Sequence, residues 1–312
     1  MRAFVFPGQG AQTIGMGKAL ADAYPEAQAV FDEVDEALGE KLSDLIWNGD
    51  IAELTLTANA QPALMATSLA AMKALEAEGV TIQAASFVAG HSLGEYSALA
   101  ASGALSIADT ARLLRIRGKA MQEAVPVGVG AMAALLGLDF ETAKAVAEAA
   151  AGDEVCQAAN DNDPSQVVVS GHKAAVERAL VIAKEKGAKR AMLLPVSAPF
   201  HSTLMQPAAE AMAEALGEVE LNRPSVPLVA NVLAASVDNP ATIRSLLVEQ
   251  VTGSVRWRES VMWLGEHGVT EAWEIGAGKA LSGMIKRIDR SITSRAVGTP
   301  DDVKAAAEAL NG

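Results

Sequence analysis

The residues with the clearest capacity for chemistry are Gly90-His91-Ser92-Leu93-Gly94, a Gly-x-Ser-x-Gly pattern. The apolar run before it suits a buried strand, and Glu95-Tyr96-Ser97-Ala98-Leu99-Ala100 after it reads as a helix start. A nucleophile elbow requires that strand–turn–helix setting, because a sharp, strained turn lifts the serine hydroxyl out beside a helix N-terminus. A chance small-residue turn is the plainer alternative, and the flanking strand and helix favour a nucleophile.

A serine nucleophile needs a base, usually histidine. The chain has four. His91 adjoins Ser92, and neighbouring side chains diverge, so a structural hydrogen bond suits it better. His172 opens a helix, where capping or solvent exposure is the default. His267 precedes Gly268 at a helix end, next to the negative pole of the helix dipole. His201 is left, in the loop Pro195-Val196-Ser197-Ala198-Pro199-Phe200-His201-Ser202. No Asp or Glu downstream of Ser92 has an obvious claim to orient it; a backbone carbonyl or a neutral amide would serve.

The third candidate is a cation. A helix from about Ser106 to Val125 gathers Ile107, Ala111, Leu114, Gly118, Met121 and Val125 on one face and Arg112, Arg115 and Lys119 on another. Arg117 falls between Leu113 and Met121, inside the apolar arc. A buried arginine is costly unless paired. Either a structural salt bridge pairs it, or it is a bidentate fork for a substrate carboxylate.

Stepping outward, the first third alternates strand and helix. Arg2–Phe6 reads as a buried strand, helices fill much of Gly15–Gly79, and a helix from about Pro62 to Glu78 feeds the Ser92 strand. This predicts an α/β fold: a mostly parallel sheet flanked by helices. After Val125-Pro126-Val127-Gly128 the order becomes strand (Ala131–Gly137), helix (Phe140–Ala151) and strand (Val155–Ala159). Strand (Gln166–Ser170), helix (Lys173–Lys186) and strand (Lys189–Val196) follow. That β-α-β-β-α-β order predicts a ferredoxin-like small domain over residues 126–196, inserted into a large domain of residues 1–125 and 197–312. His201 then lies where the chain returns to the large domain, and ligand sites favour such clefts. Strand and helix patterns resume at Val226–Val232, Ala241–Val251, Arg256–His267, Glu271–Ile275, Ala280–Ile288 and Ser291–Val297, and a final helix closes the pattern.

Bulk properties narrow the function. The chain has 312 residues, half of them hydrophobic, yet no charge-free run is long enough to span a membrane. The N-terminus shows no apolar segment of signal-peptide length before Pro7-Gly8. One cysteine, Cys156, suits a reducing cytoplasm. A net charge of -13 argues against nucleic acid as a partner. No His/Cys/carboxylate cluster with metal-ligand spacing is present. Pro7-Gly8-Gln9-Gly10, at the end of the first strand, is either a tight turn or a source of backbone N–H groups for an oxyanion.

Together these pieces resemble the malonyl-CoA:acyl carrier protein transacylase family, which includes the acyltransferase domains of fatty-acid and polyketide synthases. The matching stretches are Phe6-Pro7-Gly8-Gln9-Gly10, Gln61-Pro62-Ala63, Gly90 to Tyr96, Arg117 to Gln122, Phe200-His201, Gln250 and Glu274 to Lys279. The resemblance implies Ser92 as nucleophile, His201 as its base and later acid, and Arg117 as holder of the malonyl carboxylate. It implies backbone N–H groups of Gln9 and Leu93 as oxyanion hole, and Gln250 positioning the histidine through its main-chain carbonyl. Phe200 fits a pattern that accompanies malonyl use. The implied reaction is ping-pong: malonyl-CoA acylates Ser92, and the phosphopantetheine thiol of acyl carrier protein takes the group, with no permanent cofactor. A monomer is the expected state. Since carrier proteins of this type are acidic, docking would need local basic residues, with Lys189, Arg190, Lys286 and Arg287 as candidates. The rival readings are a serine hydrolase or thioesterase on the same elbow, a polyketide-type acyltransferase with another acyl preference, and a non-catalytic scaffold.

Overall fold

A computed structural model describes residues 1–196 and 198–311. The strands are β1 (Arg2–Phe6), β2 (Phe87–Gly90), β3 (Gly130–Leu136), β4 (Cys156–Asp163), β5 (Gln166–His172), β6 (Arg190–Leu193), β7 (Leu228–Ala230), β8 (Ala235–Val237), β9 (Glu271–Ile275) and β10 (Thr293–Val297). The first helices are α1 (Lys18–Ala23), α2 (Pro25–Leu38), α3 (Leu42–Asn48), α4 (Ile51–Thr55), α5 (Thr57–Ala77), α6 (Gly94–Ala101) and α7 (Ile107–Glu123). Then come α8 (Phe140–Ala151), α9 (Lys173–Glu185), α10 (Gln206–Gly217), α11 (Pro240–Thr252), α12 (Trp257–Glu266), α13 (Ala280–Ile288) and α14 (Pro300–Asn311).

One sheet has six strands in the order β10-β9-β1-β2-β7-β8, all parallel except β8, which pairs antiparallel with β7. Strands buried on both faces need continuous apolar runs. Phe4 and Phe6 of β1 accordingly enter a core with α2 and α5, while Ala3 and Val5 face Trp257, Val261 and Leu281 on the other side. The second sheet has four antiparallel strands in the order β4-β5-β3-β6, with α8 and α9 packed on one face around their own apolar core.

α5 begins five residues before the expected start and carries Pro62 inside it. Proline has no N–H, so the carbonyl of Ala58 loses its helical partner. Arg115 Nη1 donates to that carbonyl at 2.8 Å. Two elements escaped the sequence reading, β8 and α10. β8 is three residues long at a sheet edge, too short for a periodic signal. α10 is alanine-rich on all sides, and of its four buried residues only Met212 and Leu216 are large, which blurs the periodic signal.

The two sheets are tied through β4. Asp161 N donates to Val255 O and Val255 N to Ala159 O, at 2.9 and 2.8 Å. Arg258 of α12 pairs with Asp161, Asn162 meets His91, and Arg287 of α13 pairs with Asp163. Three consecutive side chains of one strand thus cross to the other half of the molecule.

Candidate active site

The turn at Ser92 is made by two close approaches. A Cβ on Gly90 would overlap the Gly94 main chain, and one on Gly94 would overlap the Phe6 carbonyl. Only glycine lets β2, the turn and α6 stack this tightly against β1. Ser92 adopts φ 53°, a left-handed conformation that disfavours residues with a Cβ.

Ser92 Oγ lies 2.9 Å from His201 Nε2, and His201 Nδ1 lies 2.8 Å from the Gln250 carbonyl oxygen. A carbonyl only accepts, so the proton sits on Nδ1 and bare Nε2 faces the serine hydroxyl. His201 is 4% exposed. Burial, with the Arg117 charge adding to it, pushes its pKa down to about 3. The imidazole is therefore unprotonated at neutral pH, as a proton acceptor must be.

Arg117 reaches the same hydroxyl from the buried side. α7 starts where Ser106 Oγ caps the Asp109 N–H at 3.0 Å, which fixes the helix phase that turns Arg117 inward. At 1% exposure, its Nη1 donates to Gln61 Oε1 at 2.8 Å. Nη2 donates to Gln250 Oε1 at 2.8 Å and to Ser92 Oγ at 3.0 Å. All three acceptors are neutral. The guanidinium is thus fixed by neutral oxygens directly beside the Ser92 hydroxyl.

Behind these groups lies Glu95, 1% exposed. Its Oε2 accepts from Gln250 Nε2 at 2.9 Å and from Asn231 N at 3.1 Å. Burial raises its pKa from 4.5 to about 7, against those hydrogen bonds and the Arg117 charge. A carboxyl whose folded pKa is raised contributes stability that is complete below the unfolded value and is lost as pH climbs through the folded one. A rise of that size corresponds to about 3 kcal/mol. Glu95→Gln removes the effect while retaining an acceptor, and His201, whose own shift acts with the opposite sign, is common to both proteins. Melting curves should therefore show wild type losing ground to Glu95→Gln between pH 4.5 and 7.5. A pH-independent difference would mean that Glu95 is not a buried, proton-binding carboxyl.

In front of Ser92 opens a cavity of about 310 Å³ lined by both halves of the molecule. Gln9, Ser92, Phe200 and His201 come from one half, and Met132, Asn162 and Val168 from the other. Among the described residues no three His, Cys, Asp or Glu side chains cluster as metal ligands would.

Residues 3–281 match the family described as acyl transferase domain. The chain belongs to that family. A Bacillus subtilis malonyl CoA-acyl carrier protein transacylase is 49% identical over 309 residues, covering 99% of this chain and 96% of the relative. The crystal structure of an acyl-carrier-protein-S-malonyltransferase from Bartonella henselae superposes with TM-score 0.97 at 55% identity, covering 100% of this chain and 99% of that one. A malonyl-transacylase solved in complex with a type II PKS acyl-carrier protein is 42% identical, with TM-score 0.96 and 99% coverage of both chains.

Set in this acyl transferase family, the candidates named from sequence fall together around one hydroxyl: Ser92, His201, Arg117 and Gln250 are joined by direct hydrogen bonds. Gln9 and Phe200 line the cavity, and Leu93 follows Ser92 at the helix start. The remaining histidines make no bond to the Ser92 hydroxyl, although His91 lines the same cavity. His91 Nε2 meets Asn162 Oδ1 at 2.8 Å, the structural bond expected of it. His267 stacks on Trp263 and bonds its carbonyl. His172 does not cap its own helix; its Nδ1 accepts from Val155 N at 2.9 Å. Arg287 is committed to Asp163, which leaves Lys189, Arg190 and Lys286 of the basic candidates. Glu95, Asn231 and the side-chain bonds of Gln250 were not anticipated. Their signal was available: Glu95 is the one charged residue of α6, and Asn231 interrupts an apolar strand run.

Proposed function

We propose that this chain transfers a malonyl group from malonyl-CoA to the phosphopantetheine thiol of acyl carrier protein, supplying fatty-acid synthesis. The observation that carries this reading is the buried Arg117 fork, held by neutral oxygens 3.0 Å from Ser92 Oγ. The malonyl-specific names of relatives at 49% and 55% identity point the same way. A relative solved with an acyl-carrier protein supports the acceptor.

In the first half-reaction Ser92 Oγ attacks the thioester carbonyl and its proton passes to His201 Nε2. Backbone N–H groups of Gln9 and Leu93 receive the oxyanion, the C–S bond breaks, and CoA leaves as the thiol with the proton from His201. In the second, the carrier thiol gives its proton to His201 and attacks the malonyl ester, and Ser92 leaves reprotonated. Arg117 holds the malonyl carboxylate through both steps, and Phe200 packs along the acyl group. No permanently bound cofactor takes part.

The same reading treats the Gly90–Gly94 turn as a serine nucleophile elbow. It treats residues 126–196 as an inserted ferredoxin-like domain, supported by the β-α-β-β-α-β order and the separate apolar core. It places the protein in the cytoplasm as a monomer, with Lys189, Arg190 or Lys286 meeting the acidic carrier. No helix among the described residues is long and apolar enough to cross a membrane.

The test is intact-protein mass spectrometry after brief exposure to a panel of acyl-CoAs, followed by addition of holo carrier protein. A malonyl adduct on Ser92 that the carrier discharges is the expected result. An adduct lost to water faster than to carrier would make the chain a thioesterase, and preference for another acyl group would make it a polyketide-type acyltransferase. Absence of any adduct would leave only a scaffold.

A further inference from the structure

Ser92 carries a second requirement beyond its partners at Oγ: something must hold its main chain at φ 53°. β7 runs parallel beside β2 as far as Ala230, with Val88 opposite Leu228 and Ala89 opposite Val229. The strand pairing stops there, and Asn231 follows it, fully buried. Its side chain takes over from the ladder. Asn231 Oδ1 accepts the Ser92 N–H at 2.8 Å, and Asn231 Nδ2 donates to the Gly90 carbonyl at 2.7 Å. These two groups lie on either side of His91, so one carboxamide clips together both flanks of the turn.

The clip is itself anchored. Asn231 N donates to Glu95 Oε2, which also accepts from Gln250 Nε2; that nitrogen in turn donates to the Ser92 carbonyl at 3.0 Å. Both main-chain polar groups of Ser92 are thus held by side chains more than a hundred residues away in sequence. We propose that Asn231 is a positioning residue for the nucleophile, bracing the Gly90–Ser92 turn so that Oγ points at His201. The proposal rests on Ser92 being the acylated residue, as argued above.

The chemistry explains why the residue is an asparagine. The site needs an acceptor for one N–H and a donor for one C=O, 2.8 and 2.7 Å away, from a single short side chain. A carboxamide supplies both from two separate atoms, whereas a serine or threonine hydroxyl would have to do so from a single shorter-reaching oxygen. Aspartate would keep the bond to Ser92 N but set an oxygen against the Gly90 carbonyl, and alanine would drop both. Asn231 does not bond Arg117 itself and touches its holder Gln250 only through a 3.4 Å contact with Nε2, beside the bonds that nitrogen makes to Ser92 and Glu95. Its loss should therefore misaim Oγ far more than it weakens substrate binding. That distinguishes it from Arg117.

The experiment follows formation of the acyl-enzyme by rapid quench and intact mass, over a range of malonyl-CoA concentrations and again with acetyl-CoA. Wild type, Asn231→Asp, Asn231→Ala and the milder Asn231→Ser are compared well below their melting temperatures. The saturated acylation rate should fall tenfold or more in the variants with either donor, while the half-saturating malonyl-CoA concentration stays within about twofold. Saturated rates within twofold of wild type in any folded variant lacking the carboxamide, with only the melting temperature lowered, would overturn the brace and leave Asn231 a structural residue. A change confined to half-saturation would do the same. If wild type itself forms no acyl-Ser92, the functional reading has failed, and the brace with it.

Discussion

Ser92→Ala is expected to give no acyl-enzyme with any acyl-CoA, and His201→Ala to slow both half-reactions by about 10²–10⁴-fold. The first follows because, among the described residues, the hydroxyl bonded to bare His201 Nε2 is that of Ser92, at 2.9 Å. The second follows from the loss of a positioned proton acceptor and donor, whose contribution is of that order. The Gln250 carbonyl fixes the imidazole tautomer without a carboxylate, so the unit is a dyad oriented by backbone. Because burial holds the His201 pKa near 3, the free enzyme should acylate well into mildly acidic pH before this base protonates. Single-turnover rates from rapid-quench mass spectrometry measure both effects. A His201→Ala protein that transfers malonyl at the wild-type rate would remove His201 from the mechanism.

Arg117→Ala should cut malonyl transfer by at least about tenfold and cost little with acetyl-CoA, so that selectivity collapses. A charge-assisted fork to the substrate carboxylate contributes roughly 1.5–3 kcal/mol, and 1.4 kcal/mol is a factor of ten. Acetyl has no carboxylate and never gains that contact. Arg117→Lys should rescue only part, because a point charge cannot reproduce the planar fork held between Gln61 and Gln250. The alternative is a buried salt bridge, whose disruption would destabilise the fold by about 3–5 kcal/mol and penalise both donors alike. The three neutral acceptors around the guanidinium argue for the substrate role. Specificity constants for malonyl-CoA and acetyl-CoA, measured beside a thermal melt, separate the two. A folded Arg117→Ala protein that still prefers malonyl would end the assignment.

How much of this was legible before any coordinates? Long, strongly patterned elements were: α8 and β9 run over the expected residues, and the strand before Ser92 leads into the expected helix. Arg117 could be placed because one charge inside an apolar helical arc has few explanations. His201 could be placed because only three competitors needed to be discounted. What stayed hidden was joint geometry. The family resemblance implied the Gln250 carbonyl on His201, but that its amide would serve Arg117, Ser92 and Glu95 depends on where α11 crosses the Ser92 turn, which no local pattern encodes. β4 was expected to end at Ala159 but continues to Asp163, because its polar last residues find partners in the other half of the molecule.

That extension of β4 bears on how an acceptor gets in. With Asp161, Asn162 and Asp163 each fastened across the cleft, and a pair of main-chain bonds beside them, the walls resist swinging apart. Bonds of this kind favour entry through the existing opening over entry by hinge motion of the two halves. A thiol at the tip of a long, supple tether suits such a slot, because it can be threaded in without the walls moving. Under the proposed function the tether of the visitor then supplies reach, and the cross-cleft bonds of β4 supply the socket it reaches into.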